Sequence, residues 1–217
     1  MAVASAVSAQ VIVPGVALTR PEWLAERIAD MGISWGTGDS RVSGTLWWCM
    51  AASSLVDPVA TAYAEGRPAA APVLEELRCE VRPDGGIERV VRGTAAAGHA
   101  EADAEVGPAL RRTLDRVIPV VAEVSGAGAP SLWAIVADAI GNRALDAGDA
   151  EAGARLAREV AGRLPVPRFI DVSGRAFVRR TSCCLVFEVP GCQMCTSCPK
   201  RPAAERHDLL TELATGS

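Results

Sequence analysis

The sequence predicts an α+β fold: a mostly helical domain with a small antiparallel sheet and a cysteine-rich C-terminal segment. Three observations lead there. Apolar residues recur at helical spacing through most of the chain, the stretch near 74–92 switches to a two-residue alternation around a turn, and five of the seven cysteines fall between Cys183 and Cys198. At 217 residues and 49% apolar, the chain can bury a sizeable core and fits one domain with a small appendage.

The opening "MAVASAVSAQVIVPGVAL" is apolar but lacks the positive n-region of a signal peptide and is broken by Gln10 and Pro14, so it reads as the N-terminal segment of a cytoplasmic protein. Thr19-Arg-Pro-Glu22 has the pattern of a capping box with Pro21 in the first turn. Trp23, Leu24, Ile28 and Met31 then define a helix that Gly32 is expected to stop. After the loop "ISWGTGDSR", Val42, Leu46, Cys49, Met50 and Ser53 continue a helical face up to a break at Asp57-Pro58, with a further helical piece to Gly66.

Leu77, Cys79 and Val81 alternate with charged residues before Pro83-Asp84-Gly85-Gly86, which predicts a hairpin near 74–92 with one solvated face. Leu110, Leu114, Val117, Ile118 and Val121 restore the helical period over 107–124, with Pro108 suited to a first turn and Pro119 expected to bend the helix. Residues 126–130 read as a linker. Ser131 and Asp149 are expected caps, the first for a helix carrying Leu132, Ile135, Val136, Ala139 and Ile140, the second for one carrying Leu156, Val160 and Leu164. "RFIDV" and "AFVRR" read as short strands leading to the cysteines.

Net charge is −4 with both signs interspersed, which provides no footprint for nucleic acid. No run reaches the roughly 18 apolar residues of a membrane-spanning helix. An odd, unevenly placed set of cysteines in a reducing compartment argues for metal ligation over a disulfide framework. Cys49, on an apolar helical face, and Cys79, on a strand face, read as buried thiols.

Cys183, Cys184, Cys195 and Cys198 form the pattern C-C-x10-C-x2-C. A structural zinc site is usually built from two tight knuckles that each aim two sulfurs at one ion, and adjacent cysteines make no such knuckle. In an extended strand they point to opposite faces. A two-iron cluster relaxes the demand, because four thiolates are shared between two metal centres. Cys192 adds C-x2-C-x2-C-P, reminiscent of a [4Fe–4S] run. Zinc, either cluster type and unligated thiols all remain open on spacing alone.

The stretch "FVRRTSCCLVFEVPGCQMCTSCP" resembles the C-terminal segment of the FhuF-type ferric-siderophore reductases. More faintly, "RVSGTLWWCMAASSLVDPVATAYAEG" and "SLWAIVADAIGN" are similar to helical segments of that family. The resemblance implies a [2Fe–2S] cluster on Cys183, Cys184, Cys195 and Cys198, a FhuF-like helical substrate domain over 1–167 and a cluster-binding segment over 168–217. The family more often has a small residue where this chain has Cys192.

The implied activity is cytoplasmic reduction of chelated Fe(III) to Fe(II), which releases iron for acquisition, on a ferric siderophore of hydroxamate type. Hydroxamate oxygens grip hard Fe(III) and hold Fe(II) far more weakly. No catalytic residue beyond the cluster is needed, which suits a chain with two histidines, His99 in a loop and His207 in a polar C-terminal helix.

"GTGDSR" is no dinucleotide fingerprint, so electrons are expected from a separate donor such as a ferredoxin or a small reductant. Arg179 and Arg180 before the cysteine pair, and Lys200 and Arg201 after the last cysteine, are candidates for tuning the cluster or attracting an anionic chelate. Trp23 and Trp133 fall in apolar helical patterns and read as core, whereas Trp35 is the candidate for an exposed substrate contact. The rival reading is a non-enzymatic module: an iron–sulfur electron carrier or redox sensor, or a zinc-stapled binding domain. The long helical region upstream favours the enzyme, and a sensor's basic recognition helix is not evident.

Overall fold

The computed structural model describes residues 11–93 and 105–216. The first ten residues and His99 lie outside the described residues. The expected α+β architecture is observed, with helices dominating and two small antiparallel sheets.

The centre of the fold is a 25-residue helix, α2 (Ser40–Ala64), against which α1 (Pro21–Trp35), α3 (Val106–Ser125), α4 (Ala129–Asp146) and α5 (Ala150–Val160) pack. Its burial follows from composition: small and apolar residues cover most of its circumference, as expected of a helix enclosed on several sides. Trp47 and Trp48 are fully buried, and each indole N–H has a carbonyl partner, Gly85 O and Leu132 O, both at 2.9 Å. The two rings thereby fasten α2 to the hairpin turn on one side and to α4 on the other. Trp133 is core as expected, whereas Trp23 is only half-buried beneath Arg27.

Strands β1 (Val11–Pro14), β2 (Leu77–Val81) and β3 (Ile87–Arg92) form one antiparallel sheet in that order, with β3 packed on α2. The hairpin is where the alternation places it. Its expected solvated face is closed at Glu80, whose buried carboxylate receives Arg89. β1 was not anticipated, because its four residues are too short and too close to Pro14 to give a strand signal. Strands β4 (Phe169–Val172) and β5 (Arg175–Val178) form a second hairpin. It lies on α4 through β5 and on α6 (Ala203–Thr215) through β4.

Several local expectations are corrected. Thr19 bonds back to Val16 O at 2.8 Å, so no capping box forms and α1 starts at Pro21 without a side-chain cap. Gly32 does not stop α1. It lies inside the helix because a Cβ there would come within 2.9 Å of Thr37 O, and the stop is Gly36, in the left-handed conformation with φ 69°. Helix α2 runs through Pro58, held by packing on both sides, and is capped at its start by Asp39, whose carboxylate accepts from Arg41 N and Val42 N. Helix α4 starts at Ala129, so Gly128 takes the position expected of Ser131; Asp149 caps α5 as expected.

Helices α2 and α3 meet closely at Gly44, where a Cβ would stand 2.2 Å from the Ser125 Cβ. Neither helix can retreat without opening the core. Gly44→Ala is therefore expected to destabilise the fold by about 1–3 kcal/mol through overpacking, despite the better helix propensity of alanine. Denaturant unfolding monitored by circular dichroism checks this; an unchanged or raised midpoint would contradict it.

Candidate metal centre

The cysteine segment is positioned by α4. Beyond β5, the Arg179 N–H extends the hairpin by bonding Arg168 O at 2.8 Å, and the chain then crosses Asp138 of α4. The Asp138 carboxylate is buried. It accepts Thr181 N at 3.1 Å, Ser182 N at 2.9 Å and the Ser182 hydroxyl at 2.6 Å, while Arg180 Nε stands 3.7 Å away. A buried carboxylate is tolerated only when its acceptor sites are filled, and here the residues just before Cys183 fill them.

After Cys184 the backbone turns sharply, with Leu185 in the left-handed region at φ 63°. That conformation is uncommon for a branched side chain. It directs the Leu185 N–H to the Cys183 sulfur and the Val186 N–H to the Cys184 sulfur. Backbone N–H donors on sulfur favour a thiolate and are a recognised influence on cluster potential. On the other side, Cys195–Cys198 closes through Cys198 N to Cys195 O at 3.1 Å.

The four sulfurs meet as two couples. Cys183 Sγ lies 3.8 Å from Cys198 Sγ, and Cys184 is hydrogen-bonded to Cys195. The adjacent cysteines therefore take different partners, as neighbouring residues with divergent side chains must. The Cys195 hydrogen bond holds the Cys184 thiol down to about 5 against the opposing effect of burial, helped by the Val186 N–H and Arg180. The same bond, together with burial, pushes Cys195 up. Burial also raises Cys183. Cys198 is buried, whereas Cys183, Cys184 and Cys195 are half-buried, so the couples lie just beneath the protein surface.

Residues 180–200 match the family model described as the FhuF 2Fe-2S C-terminal domain. Over those residues the chain is similar to a FhuF-type [2Fe–2S] domain. A search of curated proteins found no match. The donor set fits the FhuF-type cofactor on geometric grounds. Metal–sulfur bonds of about 2.3 Å in a tetrahedron place two sulfurs about 3.8 Å apart, the separation seen between Cys183 and Cys198. Among the described residues no group of three or more Cys, His, Asp or Glu side chains converges as one ion would require. Two couples suit the two metal centres of a binuclear cluster, one couple on each.

Cys192 joins neither couple; its N–H bonds Val189 O at 3.0 Å and its side chain packs at the core margin. Of the expected basic fringe, Arg180 contacts the site directly, with Nη1 3.6 Å from Cys195 Sγ. Burial opposes its charge, yet Cys49, Cys195, Cys184 and Asp138 around it outweigh that and raise its pKa. Arg201 supports the loop instead, donating to Met194 O at 2.6 Å and pairing with Glu205. Lys200 lies over the Phe187 ring at 5.1 Å, and Arg179 is exposed.

Trp35 ends α1 and is 38% exposed. Among the described residues no hydrogen bond, ion pair or ring contact joins it to the cysteine segment. Sequence reasoning missed two groups. Asp138 is a lone acid in the apolar run "LWAIVADAI", and such an acid on a buried helix signals a dedicated partner. Cys49 is mostly buried at the core margin and lies beside Cys184, Arg180 and Asp138. Burial first, and then Cys184, push its thiol up to about 12. Cys79 is buried as expected, and His207 is exposed on α6. Among the described residues no helix is long and apolar enough to cross a membrane.

Proposed function

We propose that the chain is a ferric-siderophore reductase of the cytoplasm, in which Cys183, Cys184, Cys195 and Cys198 hold the [2Fe–2S] cluster, residues 168–217 form the cluster-binding part and residues 1–167 the substrate-docking part. The observation that carries this reading is the pairing of the four sulfurs, Cys183 with Cys198 and Cys184 with Cys195, just beneath the surface of a segment similar to a FhuF-type domain. A bound cluster would supply single electrons to chelated ferric iron, with a separate donor protein or small reductant as their source.

The residues of the chain prepare that exchange. Asp138 fixes the strand before Cys183, the left-handed turn at Leu185 brings two N–H groups to sulfur, and Arg201 clamps the carbonyl of Met194. Arg180 sets a permanent positive charge beside Cys195, which favours the more negative reduced state. Three of the four cysteines are only half-buried, which leaves a short path for outer-sphere transfer. Fe(II), softer than Fe(III), is then lost from its oxygen donors.

The test is single-turnover oxidation. Anaerobically reduced protein is mixed with ferric tris(acetohydroxamate) in the presence of an Fe(II)-trapping dye. Reappearance of the oxidised absorption with an equal yield of trapped Fe(II) is expected. Persistence of the reduced spectrum would contradict a reductase and leave a carrier for other partners.

A further inference from the structure

The charge left over around the cysteine couples is opposite in sign to that of the chain as a whole. Net charge is −4, yet residues 168–217 hold seven Arg and Lys against five Asp and Glu. The acids nearest the couples are already engaged: Glu188 pairs with Arg41, Glu205 with Arg201, and the buried Asp138 faces Arg180 and accepts from Thr181 and Ser182. Of the remaining acids of the segment, Asp171 lies at the turn of the β4–β5 hairpin, and Asp208 and Glu212 lie farther along α6. Arg168, Arg179, Lys200 and Arg206, by contrast, have no acidic partner among the described residues.

Two of these cations are set against each other by the fold. The bond from Arg179 N to Arg168 O extends the β4–β5 ladder by one pair, which puts the two exposed arginines opposite one another on one face of the hairpin. Like charges at opposite positions weaken a hairpin, so stability does not account for the pair. Arg168 also borders an open depression of about 570 Å³ whose other walls are Ala134, Pro165, Val166, Pro167 and Thr181. Val166, 41% exposed, is one of the few large apolar side chains left in solvent among the described residues. Thr181 is two residues from Cys183, and Arg180, next to it, reaches the Cys195 sulfur at 3.6 Å. An apolar hollow with a cationic rim thus lies beside the couples.

The two electron partners of the proposed reaction differ in what they gain from positive charge. A trivalent ferric ion held by three singly charged hydroxamates is neutral, so the rim does nothing for it. A donor protein with an acidic face gains both approach rate and orientation. Transient electron-transfer contacts are small, with an apolar centre and a polar edge, as this surface is. We infer that the hollow at Pro165 and Val166, rimmed by Arg168 and Arg179, is the docking face of an acidic one-electron donor protein. The inference rests on the reductase reading, whose electron source it names by its chemistry. The exchange moves one electron from donor to centre and makes or breaks no bond.

The test uses the cluster-loaded full chain and, as probe, fully reduced flavodoxin, an acidic flavoprotein whose absorption is separable from that of an iron–sulfur centre. Stopped-flow reduction is followed in wild type, in Arg168→Glu/Arg179→Glu, in Val166→Asp, and in Arg20→Glu/Arg112→Glu, which makes the same charge change at two exposed arginines elsewhere. Wild type is expected to react faster as salt is lowered. Arg168→Glu/Arg179→Glu and Val166→Asp should each slow the reaction by about tenfold or more at low salt, and the control pair far less. No reduction of wild type, no slowing by either rim or hollow variant, or equal slowing by the two double variants would overturn the inference. Oxidation of the reduced proteins by neutral ferric tris(acetohydroxamate) and by anionic ferric citrate separates the other outcomes. The acetohydroxamate rate should be the same in all four proteins. Slowing confined to ferric citrate would assign the rim to an anionic chelate and overturn the donor face. Variant-sensitive reduction by flavodoxin in a protein that acetohydroxamate fails to oxidise would keep the docking face and remove the reductase reading.

Discussion

Cys195→Ser is expected to abolish both the visible absorption of the purified protein and its electron-resonance signal after reduction, whereas Cys192→Ser retains both. The two cysteines are three residues apart in one loop, yet their surroundings differ. Cys195 is hydrogen-bonded to Cys184 and has Arg180 Nη1 at 3.6 Å, while Cys192 sits at the core margin outside either couple. A missing thiolate leaves one metal centre with a single protein sulfur, and a serine hydroxyl is a harder and poorer donor to cluster iron than a thiolate. Loss of the cluster in Cys192→Ser with retention in Cys195→Ser would reverse the ligand assignment.

Asp138→Ala is expected to produce the largest effect of any change outside the cysteines. The substitution strands Thr181 N, Ser182 N and the Ser182 hydroxyl, and removes the carboxylate partner of the largely buried Arg180. Breaking a buried charged network from one side costs about 3–5 kcal/mol. Because the stranded groups immediately precede Cys183, the cost falls on the cysteine segment. A lower unfolding midpoint and rapid bleaching by an iron chelator should appear together, and Asp138→Asn, which keeps one acceptor oxygen, should be intermediate in both. An Asp138→Ala protein that bleaches no faster than wild type would show that α4 does not hold the cysteine segment in place.

The helices were legible because burial of one face imposes a period on the sequence, and the hairpin because its alternation ends in Asp84-Gly85-Gly86. What escaped was decided by tertiary contact. Gly32 looks like a terminator in isolation, but the close approach of Thr37 makes it an interior glycine. Pro58 looks like a break, but α2 continues through it between its neighbours. Cysteine spacing pointed to metal ligation near the C-terminus, and the resemblance, not the spacing, supplied the cluster type. The carboxylate that positions the segment lies 43 residues upstream of Thr181 and leaves no periodic trace.

The most direct test of the central claim, two sulfur couples around one binuclear cluster, is metal and acid-labile sulfide analysis of protein isolated without oxygen. The couples predict equal iron and sulfide, about two of each per chain, with the zinc content negligible. One zinc per chain without sulfide would contradict the account.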